Sequence, residues 1–145
     1  MSARGRTTGL RTVGGTSGGV VAGLHAWIDG HDAHVQAAVW LLLAHEVWPR
    51  RAEFLRACVN RSPDGVWWID FRAARTAFDN GVFVTGVFVT GVFVTGVFVT
   101  GSSTELAVLD LAIALGTDRF GFRAMSPGNA RAVATAVAHA VGADR

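Results

Sequence analysis

A run of four identical copies of the pentapeptide Gly-Val-Phe-Val-Thr occupies the chain from Gly81 to Thr100. Val, Phe and Thr favour extended backbone, and the recurring Gly interrupts any helical stripe, so the tract predicts β structure. We expect a two-arm hairpin that turns near Gly91. Identity between the copies indicates a recent expansion, and we interpret the tract as a peripheral insertion. Because uncharged, proline-free segments of this kind template cross-β association, we also expect it to promote aggregation.

Helical patterns lie on both sides of the repeat. Ser102 and Glu105 form an S-x-x-E capping box, and Ser126-Pro127 opens a last helix that Gly142 closes. The predicted helices are 31–48, 50–60, 71–79, 102–116 and 126–142, with extended pieces at 66–69 and 120–122. The predicted fold class is therefore mostly α: a small helical domain of about five helices with short strands and an inserted β-prone repeat hairpin.

Composition shifts divide the chain into a flexible N-terminal arm, residues 1–19, and a single α-rich domain, residues 20–145, with the GVFVT insertion at 81–101. The arm ends in GGTSGG, whose backbone entropy is costly to lose. It carries arginines but lacks the apolar stretch of a secretory signal, and the single cysteine, Cys58, cannot form an intramolecular disulfide. We therefore expect a cytoplasmic protein.

The uncharged stretch around the repeat also raises the question of a membrane segment. No charged residue occurs between Asp79 and Glu105, and this run is long enough to cross a bilayer. It has no flanking belt of Trp or Tyr, and the segments on either side have the pattern of globular helices. The sequence therefore disfavours membrane insertion.

Histidines and acidic residues are concentrated at the start of the first predicted helix. Imidazole and carboxylate groups are common metal ligands, so one hypothesis is a metal-dependent enzyme centred on these side chains. The candidate ligands are His25, Asp29, His31 and His34. The alternative is that they are polar residues at a helix start, where acidic groups interact favourably with the helix dipole.

All 13 basic residues are Arg, which suggests either a nucleic-acid-binding surface or the codon bias of a GC-rich genome. The candidates for contact with nucleic acid are Arg50, Arg51, Arg56, Arg72 and Arg75. They alternate along the chain with acidic residues, a pattern typical of an ordinary solvated face. Nucleic-acid binding is therefore an alternative to the main interpretation.

Other reactive or aromatic residues have structural explanations. Cys58 lies on the apolar side of a predicted helix, where a thiol usually packs and does not react. Trp67-Trp68 follow a turn and open a predicted strand, which favours a role in the core over stacking on bases. The sequence assigns no catalytic residue and no cofactor.

Four segments together resemble a small group of uncharacterised actinobacterial proteins. They are FLRACVNR (54–61), WWIDFRAARTAFD (67–79), SSTELAVLDLAIALG (102–116) and MSPGNARAVATAVAHAVG (125–142). The resemblance covers most of residues 31–142 and implies a single α-rich domain without an assigned activity. The repeat departs from this pattern, since it stands where a short loop is expected.

The chain has a surplus of apolar residues, at 50% hydrophobic and only 17% charged. Its first predicted helix is apolar nearly all round. We therefore favour a non-enzymatic helical domain for protein interaction or self-association, with a protein partner or a homo-oligomer as its context.

Overall fold

The computed structural model describes residues 15–84, 86–90, 93–98 and 102–143. The helices are α1 (Gly15–Trp27), α2 (Ala33–His45), α3 (Ala52–Cys58), α4 (Phe71–Asp79), α5 (Ser103–Gly116) and α6 (Pro127–Ala140), and short 3₁₀ turns cover Trp48–Arg50 and Phe122–Ala124. The strands are β1 (Val59–Arg61), β2 (Trp67–Ile69), β3 (Gly86–Thr90) and β4 (Phe93–Phe98). The prediction of a mostly α fold is confirmed. Most of the predicted arm, residues 1–14, lies outside the described residues.

The centre of the fold is the pair formed by α2 and α5. His34 Nδ1 donates to the carbonyl oxygen of Leu115 over 3.0 Å, and Trp48 Nε1 donates to the carbonyl oxygen of Glu105 over 3.0 Å. Because the start of α2 meets the end of α5 and Trp48 meets the start of α5, the two helices are antiparallel. Both helices contribute buried apolar side chains to one core: Ala38, Val39, Leu42, Leu109, Ala112 and Ile113.

Helix α1 is the main element that the sequence did not predict. It begins at Gly15, inside the Gly-rich stretch that we expected to be flexible. Val20, Leu24 and Ile28 follow at one-turn spacing and are all buried. Gly23 allows the close packing, because a Cβ at that position would lie 2.0 Å from Trp67 Cδ1. Tertiary packing therefore outweighs the entropic cost of these glycines.

The local signals in the middle of the chain are confirmed. Gly65 has a φ of 91° and its N–H donates to the carbonyl of Ser62, which closes the turn between β1 and β2. The two strands pair antiparallel with Asn60 opposite Trp68. Asp70 caps α4 by accepting from the Ala73 N–H at 3.0 Å. The capping box of Ser102 and Glu105 is complete at the start of α5.

Three predicted segments differ from the structure. The helix predicted for 50–60 is the shorter α3, because Val59–Arg61 forms β1 and pairs with Trp67–Ile69. Helix α2 ends at His45, since Glu46 adopts a left-handed conformation (φ 61°) and the chain then turns to bury Trp48. The segment 120–122, predicted to be extended, is a turn followed by a 3₁₀ helix. Two local features produce this turn. Asp118 accepts a hydrogen bond from the Phe122 N–H at 2.8 Å, and Gly121 has a φ of 67°.

The first copy of the repeat belongs to the core. Gly81 has a φ of 75° and ends α4, with its N–H donating to the carbonyl of Phe78 and the Val82 N–H donating to the carbonyl of Ala77. This is the Schellman arrangement, in which a glycine follows the helix. Phe83 is then 1% exposed, and its ring centroid lies 5.4 Å from that of Trp48. The expectation that the whole tract is peripheral is therefore wrong for this copy.

Later copies form a separate ribbon. Strands β3 and β4 pair antiparallel, with Val87 opposite Val97 and Thr90 opposite Phe93. They form a two-stranded sheet that is distinct from the sheet of β1 and β2. The predicted turn at Gly91 lies outside the described residues.

Candidate interaction surface

Helix α6 is well formed and largely exposed. Ser126 caps it by accepting from the Asn129 N–H at 3.4 Å, Pro127 is its first residue, and Gly142 follows it with a φ of 73°. None of its residues is buried. Val137 is 50% exposed and Val141 is 72% exposed. A helix of this length is marginal by itself in water, so its apolar stripe is unusual for an element without packing support.

The base of α6 is held at one end of the α2–α5 pair. Arg123, in the 3₁₀ turn that precedes α6, has its Nε 3.5 Å from Asp32 Oδ2 at the start of α2. The same 3₁₀ turn contacts α2. The chain therefore enters α6 from a fixed point, while the helix itself remains accessible along its length.

Each helix of the α2–α5 pair also has a large apolar side chain that is exposed. Trp40 is 54% exposed and Leu111 is 45% exposed, although their neighbours Val39 and Ala112 are fully buried. Both residues lie about midway between the two hydrogen bonds that join the helices, so they stand at the same level of the pair. Because the first predicted helix is apolar nearly all round, its sequence does not distinguish Trp40 from the residues that are buried.

The predicted metal ligands do not converge. His25 lines a cavity of about 500 Å³ with Glu46 and Arg50, whereas His31 lines a different cavity of about 400 Å³ with Trp27. His34 lines a third cavity, and Asp29 is exposed at the end of the α1 segment. Among the described residues, no group of three or more His, Cys, Asp and Glu side chains is arranged to hold a metal ion.

His34 has a structural position between α2 and α5. Its side chain is only 9% exposed, and its Nδ1 carries the proton because the Leu115 carbonyl can only accept. Its Nε2 is buried, has no hydrogen-bond partner in the described part of the chain, and lies 3.7 Å from Asp32 Oδ2. The imidazole therefore joins the two central helices.

Three of the five candidate nucleic-acid-binding arginines lie beside carboxylates. Arg50 Nη2 is 3.8 Å from Glu46 Oε2, and Arg51 Nη2 is 2.8 Å from Glu105 Oε2. Arg75 contacts Asp110 at 2.7 Å and Asp79 at 3.6 Å. Arg56 and Arg72 are exposed. The positive charge on this part of the surface is therefore largely balanced by neighbouring acids.

Cys58 is a buried thiol. Its Sγ donates to the carbonyl of Phe54 at 3.3 Å, and the side chain is 2% exposed. Burial, together with the nearby negative charge of Asp70, raises the pKa of Cys58 to about 12. The thiolate that a nucleophile requires is therefore disfavoured at neutral pH.

Comparison of the chain with protein-family models, with curated proteins and with solved structures gave no match. None of the helices in the described ranges has the length and apolar character that a bilayer span requires. The described surface offers an uncharged stripe on α6 and the exposed side chains of Trp40 and Leu111.

Proposed function

We propose that the protein is a non-enzymatic helical interaction domain that binds a protein partner, or a second copy of itself, through α6. The observation that supports this proposal is that α6 has no buried residue, although its ends are capped as those of a docked helix usually are. In helix-in-groove recognition, a helix binds through apolar residues spaced three or four positions apart. The candidate stripe is Ala130, Val133, Ala134, Val137, Ala140 and Val141.

Energetics favour docking through this stripe. Covering Val133, Val137 and Val141 would stabilise a complex by roughly 1 kcal/mol for each side chain. The stripe contains no charged residue, and Arg131 lies outside it on the same helix. A partner therefore needs an apolar groove and no buried ionic group to receive α6.

We further propose that the protein is cytoplasmic and that the later repeat copies are an inserted β-hairpin. The single buried cysteine fits a compartment without disulfide formation. The resemblance to small actinobacterial proteins with an α-rich domain supports the same placement of the insertion in a loop.

Val137→Glu tests the proposal, with Thr135→Glu as the matched control on the opposite side of α6. Association is measured by size-exclusion chromatography with light scattering and by co-purification of bound protein. We expect Val137→Glu to weaken association and to lose the co-purifying protein, because it removes only the contact made through α6, and we expect Thr135→Glu to retain both. Since neither residue is buried, both variants should keep the unfolding free energy within about 0.5 kcal/mol of the parent. A monomeric parent without a co-purifying partner, or equal losses in both variants, would contradict the proposal.

A further inference from the structure

The ribbon of β3 and β4 has two edges that no described strand pairs with. Each strand forms its ladder with the other, and the sheet contains no third strand. Among the described elements, the extensive contacts of β3 and β4 are with each other. The outer edge of a strand presents backbone N–H and C=O groups that are free to pair with another chain.

The two edges differ in regularity. Along β3, Gly86, Val87 and Phe88 pair with Phe98, Val97 and Gly96, and the register then shifts so that Val89 pairs with Val94. The shift leaves Thr95 of β4 as an additional residue without a partner in β3. A bulge of this kind bends the strand that contains the additional residue and disturbs its edge. The regular edge is therefore that of β3.

The sequence of β3 makes this edge suited to a second copy of the same strand. In an antiparallel pair of two β3 strands, only one register aligns all five residues, and it places Phe88 of one chain opposite Phe88 of the other. Val87 then stands opposite Val89, and Gly86 opposite Thr90. No charged residue or proline occurs between Asn80 and Thr104, so the features that natural proteins use to block edge pairing are missing from this part of the sequence.

We propose that β3 pairs with β3 of a second copy around a two-fold axis at Phe88, giving a four-stranded sheet in the order β4, β3, β3, β4. The partner is another copy of this chain. Such an interface is closed, because both regular edges are used in the same contact. It depends on the β3 edge and not on α6, so it stands apart from the proposed function.

The test uses the full chain with Val137→Glu, which removes any contribution from α6, and measures association by sedimentation velocity over a concentration series. Phe88→Lys and Phe88→Glu each place like charges opposite each other at the two-fold axis. Each should therefore weaken dimerisation about tenfold or more. A mixture of the two variants places opposite charges there and should restore the dimer. Phe98→Lys, at the same repeat position in β4, should leave the dimer intact.

Several outcomes would overturn the proposal. One is a Val137→Glu chain that stays monomeric at its highest soluble concentration. Another is Phe98→Lys weakening the dimer as much as Phe88→Lys, which would mean that the ribbon is not joined through β3. Mixing that fails to restore the dimer would exclude the two-fold register. Growth into larger assemblies would show that both edges recruit chains and that the contact is not closed.

Discussion

The first repeat copy and the later ones have the same five residues and different structures. In the first copy, Gly81 takes the left-handed conformation that ends α4, and Phe83 enters the core beside Trp48 and Phe54. In the later copies, Gly86–Thr90 is extended and, among the described strands, pairs with β4 alone. Local preference is identical in the two regions, so neighbouring structure decides the outcome. The end of α4 directs the first copy into the core, whereas the described strands of the later copies pair with each other.

The largest expected effect is the difference in unfolding free energy between alanine variants of Phe83 and Phe88. Phe83→Ala removes a fully buried ring and leaves a cavity, so we expect a loss of about 3–5 kcal/mol in unfolding free energy. Phe88→Ala should change it by no more than about 0.5 kcal/mol. Urea denaturation at low protein concentration, where self-association is minimal, measures both. Similar losses for the two variants would show that the later copies also pack on the helical body.

This difference also shows what the sequence could predict. Signals that act over a few residues were read correctly, as in the Ser126-Pro127 start of α6 and the Ser102–Glu105 capping box. Phe83 could not be separated from Phe88 because both have the same neighbours in sequence. Helix α1 was missed for a similar reason, since Gly23 matters through its approach to Trp67 and not through local flexibility.

The candidate functional surface was predicted only in outline. The last helix was predicted as part of a single α-rich domain, but the structure leaves its Val137 and Val141 exposed. Exposure depends on whether another element covers the stripe, and that is set by long-range packing. The histidines illustrate the same limit, because closeness in sequence did not bring His25, His31 and His34 to one cavity.

A smaller effect is expected on the pH dependence of the unfolding free energy, because Cys58 is buried in the same core as Phe83. The raised pKa means that the folded state holds the thiol proton more tightly than the unfolded state. This contribution to stability is complete below the unfolded pKa of about 9 and is lost as the pH rises toward 12. At pH 10 the unfolding free energy should be lower than at neutral pH by roughly 1 kcal/mol because of this group. With no Lys and no Tyr in the chain, few other groups titrate in this range.

Comparison with Cys58→Ala isolates the thiol. The parent should lose stability between pH 9 and pH 10 relative to this variant, as followed by urea denaturation at each pH. Thiol labelling adds a kinetic measure: Phe83→Ala should speed the modification of Cys58, and Phe88→Ala should leave it unchanged. Rapid labelling of the folded parent at neutral pH would show that the core is open to solvent.

The smallest expected effect on stability comes from deleting residues 86–100, which removes the later copies and keeps the first. Trp48 contacts both Phe83 and the carbonyl of Glu105, so the two ends that must be rejoined lie near each other. The deletion shortens a loop without removing a described core side chain, and the unfolding free energy should change by about 0.5 kcal/mol or less. Solubility should increase, because the free β edges are removed.

Deleting residues 81–100 instead removes Phe83 and should destabilise the chain about as much as Phe83→Ala. If the two deletions are equally harmful, the first copy is not the one that completes the core.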